Sequence, residues 1–569
     1  MSTPRPDQGI EADPNGTALI SRLANELFGR APESAILPSV PVAPPGAPTA
    51  VAGLPSVASA PAAFPASPEI PSHGKELSGG YPEPSSGAPS VHPVLSSSAP
   101  ATKPASGAHD GGETHAFGEP RCAFSSPKSP SRESLATTPA SFDAPPDFYF
   151  LKERPVAVPS HSAPAAGFDA ETVRRDFPIL HQKVNGHPLV WLDNAATTQK
   201  PQQVIDATSD FYSRDNSNIH RAAYVLAERS TKLFEAGREK VRQFLGAKDA
   251  KEIVFLRGTT EAINLVAQSY GRHNVGPGDE IILTELEHHA NIVPWQLLAQ
   301  QVGAILRVIP INERGELQLE EYAKLLSPRT KIVSVAHVSN SLGTINPVSE
   351  IIAMAHAQGA KVLVDGAQAT PHFPVNVTAL DADFYVFSGH KVFGPTGIGA
   401  LYGKADLLEA MPPWQGGGHM IRDVTFEKTV YQHAPEKFEA GTPDIAGVVG
   451  LGAALDYLFR LGLPALSAYE HSLLHHATEA LSVVPGIRFI GTAANKASVL
   501  SFVIPGIPNE QIARHLDRHG IAVRAGHHCA LPAQRHFGLE STVRASFAFY
   551  NTRDETDTLA KTLCTLPRS

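Results

Sequence analysis

The sequence predicts an α/β fold: a mostly parallel β-sheet covered by helices, preceded by a long arm without regular structure. Three observations carry this reading. Proline is concentrated at one end, with 29 of the 50 prolines in residues 1–170. From Phe168 onward, apolar runs of strand length alternate with amphipathic helical stretches. Those runs are apolar on both faces, as strands are when helices cover both sides of a parallel sheet. At 569 residues the chain is too long for one core, so two or three domains are expected.

The arm comes first. Runs such as PSVPVAPPGAPTAVAGLPSVASAPAAFPASP have no helical or strand period. They bury too little apolar surface to offset chain entropy, so residues 1–167 are expected to be disordered and partly extended. Two islands interrupt the arm. In TALISRLANELFGR (17–30), Leu19, Ile20, Leu23, Leu27 and Phe28 share a helical face. DFYFLKE (147–153) puts three aromatics in a row. Each reads either as local structure docking on the globular part or as a short recognition segment for a partner. A membrane is the rival target for the helix, but its polar face carries few basic residues.

The globular part follows. EIVFLRG precedes TTEAINLVAQSYG, and DEIILTELE precedes NIVPWQLLAQQVG. KIVSVAHVSN and KVLVDGAQA are separated by VSEIIAMAHAQG, and DADFYVF leads into SGHKVFGPTGIG. In such a sheet, ligands sit at the carboxyl ends of the strands. The chemistry-bearing residues fall there. Gly258-Thr259-Thr260 opens a helix, where backbone N–H groups make an anion site. His288-His289, then Asn340, then Asp365 with Gln368, then Ser388, His390 and Lys391 end the runs that follow. Each alone reads equally as a cap or a satisfied core group. Five at one sheet edge call for one ligand. Pyridoxal 5′-phosphate needs a lysine for its Schiff base, a carboxylate for its ring nitrogen and an anion loop for its phosphate.

Near the C-terminus, RAGHHCA carries Arg524 and Cys529, and VRASFAFYNT carries Arg544. A guanidinium forks onto a carboxylate, so Arg544 suits an amino-acid substrate. Cys529 beside two histidines reads as a nucleophilic thiolate, and Cys564 in LAKTLCTLP reads as a helix-core residue. The adjacent-residue clusters His288-His289 and His527-His528-Cys529 lack the spacing of a zinc site, so no metal is expected.

From Phe168 to the end, the chain resembles the Suf-type (group II) cysteine desulfurases of the class V aminotransferase, fold-type I pyridoxal-phosphate family. The matching blocks are WLDNAATTQKP, NIHRAAYVLAERST, FLRGTTEAINLVA, ELEHHANIVPW, HVSNSLGTINPV, VDGAQA, FSGHKVFGPTGIGALYG, FEAGTPDI, RAGHHCA and VRASFAFYNT. The resemblance implies that Lys391 is the Schiff-base lysine, that His288 stacks on the ring and that Asp365 pairs with its nitrogen. It implies that Asn340 and Gln368 bind near the ring oxygen, and that Thr260, Ser388 and His390 hold the phosphate. Thr442 would reach the phosphate of a neighbouring subunit, which implies a homodimer. Arg544, with Asn340, would clamp the carboxylate of L-cysteine, with Arg524 beside it and His220 and Arg221 at the mouth. Cys529 would take the sulfur as a persulfide, release L-alanine and supply a sulfur-acceptor protein for iron–sulfur cluster assembly or other sulfur metabolism. Leu531 stands where the family often has Gln, at the acceptor path. The Pro/Ala-rich arm resembles the loading segments of desulfurases carried inside family 2 encapsulin shells.

The implied organisation is an arm (1–167), a segment joining the small domain (168–180), a large cofactor-binding domain (181–458) and a smaller α+β domain (459–569). The alternatives are a selenocysteine lyase, another class V enzyme, or a non-catalytic cargo or scaffold protein of this fold. The net charge of -9 and the absence of a basic stripe argue against nucleic acid, and no apolar run reaches membrane-spanning length. MSTPRPDQGIEADP has no signal-peptide core, and three cysteines are too few for a disulfide framework. A cytoplasmic location, free or within a protein nanocompartment, is expected.

Overall fold

The computed structural model describes residues 168–220 and 223–567. The expectations for the arm, with its segments 17–30 and 147–153, and for Arg221 lie outside the described residues. Seven strands form the main sheet: β1 (Ile253–Leu256), β2 (Glu280–Thr284), β3 (Ile305–Ile309), β4 (Thr330–Ala336), β5 (Lys361–Asp365), β6 (Phe384–Ser388) and β7 (Gly399–Gly403). Their order is β1-β7-β6-β5-β4-β2-β3. The β6-β5-β4-β2-β3 block is parallel throughout. Only β7 runs against its neighbours, β1 and β6. Six strands therefore present their carboxyl ends at one edge.

Alternation along each strand builds two cores. Phe255, Ile282, Val333, Val335, Val362, Val364, Tyr385 and Phe387 pack into one cluster. Val254, Ile281, Leu283, Ile332, Leu363, Phe384 and Val386 pack into the other. At about 1.5–3 kcal/mol for each large apolar side chain fully removed from water, both faces drive folding. This two-sided burial is why the strands read as continuous apolar runs.

The two edges of the sheet are finished differently. At β1, Phe255 N–H donates to Glu439 Oε1 (2.8 Å), and Arg238 Nη1 donates to the Ile253 carbonyl (2.9 Å). Arg238 and Glu439 are themselves joined by two bonds of 2.7 and 3.0 Å. At β3, Ile305 and Val308 are exposed, and Arg307 Nη2 reaches Glu280 Oε1 at 2.9 Å.

A second sheet holds β8 (Arg488–Ile490), β9 (Val499–Val503), β10 (Arg524–Gly526) and β11 (Thr542–Ser546), all antiparallel in the order β8-β9-β11-β10. The chain ahead of the main sheet is tied to this region. Val190–Trp191 pairs with Ile521–Ala522, and Asp193 bridges to Ser546. Phe177 packs on Phe393, Tyr457, Phe549 and Tyr550.

Cys564 departs from expectation. It closes the helix Arg553–Cys564 with its side chain exposed. It lies one residue, about 100° of helix rotation, past the buried Leu563, and so falls off the core face. Among the described residues no single helix is long and apolar enough to cross a membrane.

Candidate active site

A cavity of about 420 Å³ lies at the carboxyl edge of the main sheet and is also lined by the loop that follows β10. Of the residues expected at the strand ends, Thr259, Thr260, His288, Asn340, Asp365, Gln368, Ser388, His390 and Lys391 line it, and Gly258 and His289 do not. Arg524, Cys529 and Arg544 line it from the second sheet.

Glycine makes the lysine's turn possible. A Cβ on Gly399 in β7 would lie 2.5 Å from the Phe387 carbonyl oxygen and 2.6 Å from Gly258 Cα. Gly258 itself has φ 146, a value that L side chains rarely adopt. Three backbone segments therefore meet without side chains between them. This lets the helix Thr259–Val266 start against Ser388, whose Oγ accepts from Thr259 N–H (3.0 Å) and pairs with Thr259 Oγ1 (2.9 Å). A helix N-terminus and a hydroxyl together form an anion cradle.

Lys391 follows β6 on a single 3₁₀ turn, Gly389–Lys391. Burial lowers its ammonium to about 8, against the opposing pull of Asp365. Asp365 ends β5 and accepts from Ala367 N–H (2.9 Å). Burial raises its pKa, and Lys391 opposes the shift. Burial, then the charge of Lys391, lowers His288 to about 3, so it is a neutral flat ring. Its Nδ1 accepts from Ala290 N–H (3.0 Å), which puts the proton on Nε2. Burial likewise lowers His390 to about 4.

The second sheet supplies positive charge. Arg544 Nη1 donates to the Asn340 carbonyl (2.9 Å) and Nη2 to Asp193 Oδ1 (2.9 Å). Arg524 Nη2 donates to Asp193 Oδ2 (2.8 Å). One carboxylate thus holds two guanidiniums, leaving a net positive charge at the cavity wall. Cys529 sits on a loop where both it and His528 have positive φ, 55 and 53. Such values are costly for non-glycine residues and concentrate at functional sites. Asn340 Nδ2 donates to the His528 carbonyl (2.6 Å) and anchors this loop to the β4 end.

Sequence reasoning missed Asp193, because a lone Asp in WLDNAATT carries no spacing signal. It also missed Glu287, fully buried beside His288 and pushed up to about 8 by burial. It read His289 and His527 as separate clusters, whereas the fold brings their rings to 5.6 Å. Two expected residues lie away from the cavity in the single chain. Thr442 is exposed. His220 bonds Glu235 (3.0 Å) and stacks on His419.

The donor set fits the cofactor expected from the sequence. It offers an amine, a buried carboxylate, a neutral ring and an anion cradle around one volume. Three buried polar atoms on lining residues make no hydrogen bond: Asn340 Oδ1, His528 Nδ1 and Arg544 Nε. Such atoms cost about 1–3 kcal/mol each unless a ligand completes them.

Comparisons agree with this reading. The sequence profile of the aminotransferase class-V family matches residues 190–559. A cysteine desulfurase of Synechococcus elongatus is 64% identical over 406 residues, 71% of this chain and 65% of that protein. One from Dickeya dadantii is 52% identical over 397 residues, 70% of this chain and 96% of that protein. The crystal structure of a cysteine desulfurase from Escherichia coli aligns with a TM-score of 0.66 at 44% identity, covering 70% of this chain and 98% of that one. The chain spans about two thirds or slightly less of the S. elongatus and Mycolicibacterium paratuberculosis relatives, 65% and 64% of their lengths.

Proposed function

This chain belongs to the class-V aminotransferase family, and from that premise we propose that it is a pyridoxal 5′-phosphate-dependent cysteine desulfurase, converting L-cysteine to L-alanine and leaving sulfur on Cys529. The observation that carries the reading is the meeting of Lys391, Asp365 and His288 with Cys529 and Arg544 around one cavity. An aminotransferase needs no thiol there.

Lys391 would hold the cofactor, Asp365 would pair with its ring nitrogen, His288 would pack on the ring, and Asn340 and Gln368 would bind near the ring oxygen. Thr260, Ser388 and His390 would hold the phosphate. When bound, the cofactor supplies an electron sink for charge developing on the substrate. Arg544, steadied by Asp193 and the Asn340 carbonyl, holds the substrate carboxylate, and Arg524 adds to the positive field. Once the substrate's amine takes the place of Lys391, the freed Lys391 amine, with its lowered pKa, would remove the Cα proton. The Cys529 thiolate attacks the substrate sulfur. The substrate's carbon–sulfur bond breaks, its electrons stay with the carbon fragment, and proton return yields alanine. The sulfur remains on Cys529 as a persulfide for an acceptor protein.

The exposure of Thr442, and of the apolar Tyr212, Tyr224 and Val225, supports a homodimer in which Thr442 completes the partner's phosphate site. We further place the large domain at 181–458 and the small one at 459–569. The cytoplasm is the proposed compartment, with an encapsulin shell as the partner of the arm.

The test is purified protein given L-cysteine and a reductant, with sulfide and alanine measured together. Equal yields are expected. Cys529→Ser should keep the yellow cofactor absorbance yet lose sulfide release. A persulfide found by mass spectrometry on Cys564 rather than Cys529 would sink the assignment.

A further inference from the structure

Beside the cavity that His527 and Cys529 line, three donors come together from two segments far apart in sequence. His289 lies beyond β2, and His527 and Cys529 lie in the loop between β10 and β11. One donor atom from each, the thiol sulfur and a nitrogen of each imidazole, lies within 4.8 Å of the other two. The two rings are nearly parallel, at 27°. Leu531 N–H donates to His289 Nε2 (3.2 Å), and Cys529 N–H donates to His527 Nδ1 (2.9 Å). A neutral imidazole that accepts at one nitrogen carries its proton on the other. Both lone pairs therefore point at the loop that carries the thiol. His289 N–H donates to the Cys529 carbonyl (2.7 Å), which pins the two segments together.

We propose that His289, His527 and Cys529 form a binding site for a divalent zinc-type cation, whose occupancy withholds the Cys529 thiolate from sulfur transfer. Binding stands on the donor geometry alone; the inhibitory consequence rests on the desulfurase reading. Two imidazoles and a thiolate, with water in the fourth position, are an open zinc coordination set. Soft sulfur and imidazole donors select zinc over magnesium or calcium. Zinc–sulfur and zinc–nitrogen bonds of about 2.3 and 2.0 Å place tetrahedral ligands about 3.5 Å apart. The donors must close by about 1 Å from the 4.8 Å limit. All three belong to loops or a single 3₁₀ turn rather than to strands of the sheet. The cation replaces the two backbone N–H donors at the imidazole lone pairs, and these turn to solvent. The thiol proton leaves to solvent as the zinc–sulfur bond forms. No electron moves. Ion and substrate sulfur then compete for the same Sγ.

The test uses the full-length, cofactor-loaded protein. Calorimetric titration with zinc chloride, in buffers of different ionisation heat and with a non-thiol reductant, should give one ion per chain with proton release. Cobalt in place of zinc should produce ligand-field bands at wavelengths beyond the cofactor's. Cys529→Ser, His527→Asn and His289→Asn should each weaken zinc at least tenfold. His475→Asn, at an exposed pair with Glu479, should not. In the unmodified protein, zinc should slow iodoacetamide labelling of Cys529 at least tenfold while leaving the exposed Cys564 unaffected. Magnesium should protect neither. Unchanged labelling of Cys529, or unchanged zinc affinity in Cys529→Ser, overturns the site. Zinc binding at Cys529 with an unaltered rate of sulfide release overturns the inhibitory role alone.

Discussion

Lys391 carries the most direct consequence of burial. Its ammonium is lowered to about 8, so the chain binds fewer protons there than an unfolded chain between pH 8 and the ordinary lysine range. The neutral amine is the reactive form. Cofactor uptake by the stripped protein should therefore slow about tenfold per unit below pH 8 and level off above it. Stopped-flow absorbance measures this. A flat profile from pH 6 to pH 9 would mean another group controls the step. Asp193 is the second residue-scale case. It holds Arg524 and Arg544 together, and each bond to a charged group is worth about 1.5–3 kcal/mol. Asp193→Asn should raise KM for L-cysteine about 10- to 100-fold with a smaller loss in kcat. An effect on kcat alone would assign Asp193 to the chemistry rather than to substrate positioning.

At the scale of elements, the site was legible because it obeys a rule of sheet direction. Parallel strands put their polar endings at one edge, so the residues ending β1, β2, β4, β5 and β6 could be grouped before any coordinates. What was not legible was long-range. Asp193 meets Arg544 only because Val190–Trp191 pairs beside Ile521–Ala522, a contact that no local pattern announces. β7 was not singled out among the strand-length apolar runs, and its Gly399 is a space for the neighbouring backbone. Gly399→Ala tests that account. The new Cβ would press on the Phe387 and Gly258 backbones rather than on movable side chains. It should lower stability by about 1–3 kcal/mol, read as the urea midpoint, and weaken cofactor retention as Lys391 and the anion cradle part. A variant with unchanged midpoint and colour would show that the three segments have slack.

At the scale of the whole molecule, the described residues that line the cavity all fall between Ala195 and Arg544. Deleting residues 1–167 should therefore leave the rates of alanine and sulfide release in solution unchanged, while abolishing co-purification with a shell protein. If the shortened chain loses its yellow colour, the arm belongs to the fold and the proposal that it serves only to bind a shell fails.

The unequal edges of the main sheet bear on how the protein survives crowding by its own copies. An uncovered strand edge is a template on which another chain can add strands, the first step of ordered aggregation. At β1 that step is blocked, since Arg238 and Glu439 occupy the Ile253 carbonyl and the Phe255 N–H that an incoming strand would use. At β3 the guard is thinner: a charged Arg307 between exposed Ile305 and Val308. Arg238→Met would leave Glu439 buried and unpaired, at a cost of about 3–5 kcal/mol, and would bare the β1 carbonyl. Arg307→Val removes the closer of the two arginines paired with the buried Glu280, so it should lower the urea midpoint, and it turns ILRVI into an uninterrupted apolar edge. On heating, light scattering should rise earlier in Arg307→Val than in the parent chain at equal folded fraction. Equal onset would locate the protection elsewhere.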